Sequence, residues 1–266
     1  MKNNAESGNE QWIETLQLEG RKAVLEAIKN NKQIDRLLIR KESDGKFSGT
    51  LKIIAAKAKE TGIVVQGVDK IRLDTLARSN NHQGVIAICP AKEYVDIEDI
   101  LNIAKEKNEP PFIVILDGIE DPHNFGAILR TSDAGGVHGV VIPKRRAVGL
   151  TGGAAKASAG AIDYVPVAKV TNIGRLIDKL KESGLWIACA ASAGSEADAT
   201  SIYAADFSGP IALVIGAEGS GVSRLAREKS DFIVSIPMLG NIPSLNASVA
   251  CGIMIYEVVR RRTSNA

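Results

Sequence analysis

Three short stretches hold side chains able to orient a polar substrate. The first, Asp121-Pro122-His123-Asn124-Phe125-Gly126-Ala127-Ile128-Leu129-Arg130, follows an apolar run at 112–116. Asn124 offers an amide donor and acceptor and reads as the N-cap of the next helix. Arg130 lies among Ile128, Leu129 and Ala134. A planar fork of five donors in apolar company calls for a defined anion, and a salt bridge to Asp117, Glu120 or Asp121 would supply one as well as a ligand would. His123 neighbours the cap and has no evident partner, so it reads as a structural or surface residue rather than a base.

The second stretch is Ile215-Gly216-Ala217-Glu218-Gly219-Ser220-Gly221. It lacks the Lys-Ser/Thr of a phosphate loop, and its glycine spacing is wrong for a dinucleotide fingerprint. Glu218 would repel a pyrophosphate, so the loop suits a neutral or cationic ligand, or is a tight turn with Glu218 on the surface. In the third stretch, 236–250, the β-branched run 232–236 ends at Pro237, whose missing N–H stops ladder pairing. Gly240 and Pro243 shape a loop, Asn241 and Ser244 add polar groups, and Asn246 can cap an apolar helix over 247–259. Loops of this kind gather where open α/β sheets bind ligands, beyond the carboxyl ends of the strands.

The elements that must position these loops are legible from periodicity. Apolar runs at 112–116, 139–142, 186–190, 211–215 and 232–236 read as strands buried on both faces, as in a parallel sheet. Helices between them are marked by Ile173, Leu176, Ile177 and Leu180 and by the run from Ala127 to Ala134. Ahead of them, helical spacing at Ala23, Val24, Ala27 and Ile28 and at Leu51, Ile54, Ala55 and Ala58 alternates with strand-like runs at 34–39, 63–65 and 85–89. This predicts a small α/β module over 1–92, whose first ten residues are polar and frayed. A connector with a short helix at 97–106 fills 93–110, and Pro110-Pro111 opens a second domain over 111–266.

At 266 residues and 45% hydrophobic, the chain can bury two cores, mostly of aliphatic residues because aromatics are only 4%. A net charge of +2 is too mild to define a nucleic-acid binder alone. Cys89, Cys189 and Cys251 fit neither a disulfide framework nor metal spacing, and each sits in an apolar run, as small core residues do. No metal, signal peptide or membrane span is expected, and a cytoplasmic protein is.

In this order, the stretches 121–130, 215–221 and 236–250 resemble the three signature motifs of SpoU/TrmH-type RNA ribose 2′-O-methyltransferases, over residues 112–262. Arg-Lys-Ala-Val-Leu-Glu-Ala-Ile (21–28) and His-Gln-Gly-Val (82–85) are similar to the branch that methylates a guanosine of large-subunit (23S) rRNA and carries a small ribosomal-protein-like RNA-binding domain. The resemblance implies a SPOUT-type α/β fold with a parallel sheet and a C-terminal trefoil knot, a rare exception to unknotted topology. It implies S-adenosylmethionine bent among the knotted loops, contacted by Gly216, Ile236 and Leu245, lined by Met238 and closed on one side by Ala190 and Ala191. It also implies a homodimer, with Arg130 acting from the neighbouring subunit.

On this resemblance Asn124, Arg130, Glu218, Ser244 and Asn246 are the catalytic candidates. Arg130 would hold the phosphate beside the target ribose, since a guanidinium is effectively never a neutral base. Asn124, Ser244 and Asn246 would orient the hydroxyl, the loops and the arginine. Glu218 would anchor Asn or Arg groups of the site or stabilise the sulfonium. Lys144, Arg145, Arg146 and Lys156, with Arg36 and Arg40 of the first module, are candidate RNA phosphate contacts. The chain departs from the family's pattern at Ser132 and Gly135-Gly136, and Thr151-Gly152-Gly153 predicts a mobile RNA-facing loop. Competing readings are a tRNA ribose methyltransferase, which the extra module argues against, and a non-catalytic ribosome-assembly protein, which the intact polar set argues against. A nucleotide-binding dehydrogenase is disfavoured by the glycine spacing.

Overall fold

The structure is a computed structural model that describes residues 17–79, 81–191 and 199–264. The frayed segment expected at 1–10 lies outside them. Two sheets organise the chain. The first takes its strands from β1 (Gln17–Glu19), β2 (Arg36–Arg40), β3 (Val64–Val68) and β4 (Val85–Ile88), in the order β1-β4-β2-β3. Its helices are α1 (Arg21–Lys29), α2 (Gly49–Glu60) and α3 (Lys70–Leu76). The pleat sends Leu37 and Ile39 into one core with Val24, Leu51 and Ile54, and Leu38 into another with Leu73 and Ile86. The predicted strands and helices are present. β1 was not anticipated, because a strand of 3 residues carries no readable period.

After α4 (Ile97–Glu106), the second sheet is seven-stranded and wholly parallel. It comprises β5 (Phe112–Asp117), β6 (Gly139–Pro143), β7 (Val167–Val170), β8 (Trp186–Ala191), β9 (Thr200–Ser201), β10 (Ile211–Gly216) and β11 (Phe232–Ser235), in the order β7-β6-β5-β10-β8-β11-β9. Helices α5 (Pro122–Ala134), α6 (Gly152–Ala157) and α9 (Ala247–Ser264) cover one face; α4, α7 (Ile173–Glu182) and α8 (Arg224–Lys229) cover the other. Along β5, Phe112, Val114 and Leu116 enter the first layer while Ile113 and Ile115 enter the second. Burial on both faces is why these strands read as unbroken apolar runs. β7 escaped that reading, being an edge strand with Lys169 in its middle. All three cysteines are buried and free, as expected of small core residues.

The glycine-rich segment at 151–153 is a correction. It is no loop: Thr151 caps α6, its side chain accepting the Ala154 N–H at 3.2 Å. The predicted mobility gives way to packing. A Cβ on Gly126 would lie 2.4 Å from Ala157 Cβ and 2.8 Å from the Ala154 oxygen, so α5 and α6 meet backbone to backbone.

The far end of α9 is clamped. Arg262 donates to the carbonyls of Pro110 (2.9 Å), Pro111 (3.2 Å) and Gly209 (2.8 Å), with its guanidinium 5.2 Å above the Phe112 ring. Arg262→Met should therefore lower unfolding stability by about 2–3 kcal/mol, because three carbonyls lose a charged donor. Thermal denaturation checks this, and an unchanged midpoint would show that the clamp contributes nothing.

Candidate active site

Four adjacent parallel strands, β5, β10, β8 and β11, bring their carboxyl ends to one edge of the sheet. After β5, β10 and β11 the chain enters a loop. After β5, Gly118 turns with φ +88, and Asp121 caps α5 by accepting the Asn124 N–H at 2.8 Å, with Pro122 at the first helical position. The N-cap is thus Asp121 and not Asn124, because Asp121 stands immediately before the proline that opens the helix. Freed from capping, the Asn124 side chain reaches across to the other two loops.

The loop after β10 folds back on itself. Gly221 N–H donates to the Ala217 carbonyl at 2.9 Å, and a Cβ on Gly216 would stand 2.1 Å from the Gly221 carbonyl carbon. Asp117 anchors the loop's far side, its carboxylate accepting the Ser223 N–H at 2.8 Å. The loop after β11 ends at Asn246, whose Oδ1 accepts from Ser248 N (3.0 Å) and Oγ (2.6 Å) and caps α9 as expected.

The three loops lock together around Glu218. Its Oε1 accepts from Asn124 Nδ2 at 3.2 Å, from the Ala247 backbone N–H at 3.2 Å and from Asn246 Nδ2. Asn246 Nδ2 also donates to Asn124 Oδ1 at 2.9 Å. Every hydrogen of the Asn246 amide is thereby used, and the carboxylate sits at the N-terminal end of the α9 dipole.

Beside this lock lies a cavity of about 570 Å³, within the range of small-molecule sites. Ala190, Ala191, Gly216, Ile236, Met238 and Leu245 all line it, as do Glu218, Ser244 and Asn246. Sequence reading missed Ala250 and Met254, which also line it. They follow Asn246 at i+4 and i+8, a helical period that could have found them. Asp117 reads from the sequence as a partner for Arg130 but holds the loop after β10 instead; its place at a strand end is the available signal. Cys251 is fully buried, which pushes its thiol up to about 12 and removes it as a nucleophile at neutral pH.

Arg130 stands apart. It is exposed on α5, outside the cavity lining, and makes no ion pair among the described residues. The salt bridge to Asp117, Glu120 or Asp121 is not formed. Arg145, Arg146 and Lys156 are exposed; Lys144, Arg36 and Arg40 are half-buried. Arg40 donates to Glu42 Oε1 at 3.4 Å. No His, Cys, Asp or Glu cluster among the described residues could hold a metal ion.

Residues 111–256 match the model of the SpoU rRNA Methylase family, and residues 17–95 match that for RNA 2′-O ribose methyltransferase substrate binding. YacO of Bacillus subtilis, named a TrmH family tRNA/rRNA methyltransferase, is 46% identical over 91% of this chain and 94% of its own length. A Staphylococcus haemolyticus protein of the same family name is 48% identical over 94% of this chain and 97% of its own. Among solved structures, an AdoMet-bound rRNA methyltransferase from Sinorhizobium meliloti superposes with a TM-score of 0.56 at 25% identity, covering 92% of this chain and 87% of that one. The SpoU methyltransferase AviRb of Streptomyces viridochromogenes shares the fold, with a TM-score of 0.58 at 23% identity and coverage of 94% and 91%.

Proposed function

Because this chain belongs to the SpoU rRNA Methylase family, we propose that it transfers a methyl group from S-adenosylmethionine to a ribose 2′-hydroxyl of structured RNA, at a guanosine of large-subunit (23S) rRNA. The observation that carries this reading is the Asn124–Glu218–Asn246 lock at the rim of the cavity. The cavity fits the cofactor: its walls are largely backbone and apolar side chains around the Gly216 turn, with Ser220, Arg227, Ser244 and Asn246 as polar groups, and its one carboxylate, Glu218, repels no phosphate because the cofactor has none. Gly216, Ile236 and Leu245 would hold the cofactor, with Met238, Ala190 and Ala191 along its sides.

When bound, the cofactor supplies an electrophilic methyl on a sulfonium sulfur. The chain's own contribution is alignment, because a ribose hydroxyl is a poor nucleophile. Ser244 and the locked amides orient the hydroxyl. Arg130 grips the neighbouring phosphate, and its exposure outside the cavity lining favours delivery from a second copy. Exposed Leu239, Ile242, Val249 and Tyr256, on the loop after β11 and on α9, supply apolar surface for that homodimer.

Under the same reading, residues 1–92 form the RNA-binding domain and 111–266 the catalytic domain, joined by 93–110, whose helix α4 packs on the second sheet. The C-terminal segment threads the family's trefoil knot, a reading supported by α9 returning from β11 to pack on α5. An RNA substrate places the work in the cytoplasm; no helix among the described residues is long and apolar enough to cross a membrane.

Ribose methylation mapped on rRNA and on tRNA incubated with the protein and S-adenosylmethionine tests the proposal. A new 2′-O-methylguanosine in 23S rRNA is expected. Methylation of tRNA alone would move the substrate, and none on either would end the reading. Arg130→Ala should lower turnover about 10²-fold; near-normal turnover would remove the arginine from the site.

A further inference from the structure

The junction between the two sheet units is built around one buried carboxylate. Asp35, the residue before β2, is 6% exposed. Its Oδ1 accepts the Tyr94 hydroxyl at 2.7 Å and pairs with the Lys169 ammonium on β7. Burial and the neighbouring Asp35 charge keep the Tyr94 phenol protonated, so it serves as a donor. The same hydroxyl oxygen accepts the Leu150 N–H at 3.0 Å, and Lys169 Nζ lies 4.7 Å from the centre of the Tyr94 ring. Gln33 adds two bonds to the Tyr94 backbone, donating to its carbonyl at 3.0 Å and accepting its N–H at 2.7 Å. On the other side Ala91 N–H donates to Leu150 O at 2.6 Å and Val95 N–H to Val167 O at 3.0 Å.

This is a poor device for stability alone. A buried ion pair recovers its desolvation only when both oxygens are satisfied, and Asp35 Oδ2 has no partner. It lies instead against Gly149, where an added Cβ would stand 2.5 Å from it and 2.8 Å from the Tyr94 hydroxyl. What such a pair does supply is a fixed register, which an apolar junction free to slide would not.

Apart from Arg130 on α5, the segments that leave this junction carry the basic residues proposed to touch RNA. Asp35 leads directly into β2 with Arg36 and Arg40. Leu150 ends the loop that holds Lys144, Arg145 and Arg146, and Thr151 then opens α6 with Lys156. Accordingly, we propose that Asp35, with Tyr94 and Lys169, is a positioning residue for the RNA substrate: a clasp that holds the phosphate contacts of both units in one register. This inference rests on the N-terminal unit being RNA-binding. Two contact sets on one rigid frame act at high effective concentration, and loosening the frame costs affinity without removing any contact.

The test uses the full-length chain as Asp35→Asn, Tyr94→Phe and Gly149→Ala. The last wedges the clasp while leaving all its charges in place. Titration calorimetry with S-adenosylmethionine, initial rates against 23S rRNA fragment concentration, and small-angle scattering are measured on each. The expected result is a rise of about tenfold in KM for RNA and an expanded particle. Cofactor affinity and kcat at saturating RNA stay within about threefold of wild type, and Lys169→Arg keeps a near-normal KM. An unchanged KM in both Tyr94→Phe and Gly149→Ala overturns the proposal. So does a parallel loss of cofactor affinity and kcat, which would mark a general structural role. If wild-type protein methylates no RNA, the functional reading falls by itself. Scattering then decides the clasp: expansion of the variants supports it, and unchanged dimensions overturn it.

Discussion

Gly216→Ala is expected to leave the chain folded and to lower its affinity for S-adenosylmethionine about 10³-fold, as read by titration calorimetry. A Cβ there would meet the backbone of Gly221 and Val222 at 2.1–2.4 Å. Overpacking costs about 1–3 kcal/mol where flexible side chains can yield. Here the neighbours are backbone atoms closed by the Gly221 to Ala217 hydrogen bond, so a cost of about 4 kcal/mol is the better expectation, at about 1.4 kcal/mol per tenfold. The loop can relieve the clash only by opening, and that opening removes one wall of the cavity. The core strands beneath it stay paired, so unfolding should move little. Gly153→Ala is the control, since its Cβ would find Pro122 at an ordinary 3.5 Å. If Gly216→Ala binds the cofactor like the parent chain, the cavity beside this turn is not the cofactor site.

How much of this could be read beforehand depended on where each signal lies along the chain. Buried parallel strands such as β5 and β10 announce themselves, because both faces must be apolar. Asn246 was legible as a cap because capping is local, decided within three residues. Asn124 was misjudged for the complementary reason. Its own neighbourhood suggested a cap, but Asp121 fills that role, and the partners of Asn124 lie 94 and 122 residues away. The set expected to line the cofactor came from a family resemblance; all six residues line one cavity. Asp35 gave no signal at all. An aspartate before a strand is unremarkable until the fold brings up Lys169, 134 residues later in the chain.

Glu218→Ala should cost about 10³-fold in kcat/KM for RNA, the upper end of what loss of a preorganised polar contact produces. The first turn of α5, the loop after β11 and the first turn of α9 share its Oε1, so its removal breaks all three contacts at once. Asn124 and Asn246 keep their mutual bond at 2.9 Å, and stability should therefore change far less than activity. The informative comparison is Glu218→Gln. A glutamine retains one oxygen where the three N–H groups converge, and the carboxylate's second oxygen makes no hydrogen bond among the described residues. If the side chain works by geometry, Gln should stay within about tenfold of the parent while Ala does not. If Gln is as damaging as Ala, the negative charge itself is what the reaction needs, close to the sulfonium, and the lock is incidental. The steady-state constants of the two variants, measured side by side, therefore distinguish a carboxylate that holds the loops from one that acts on the cofactor.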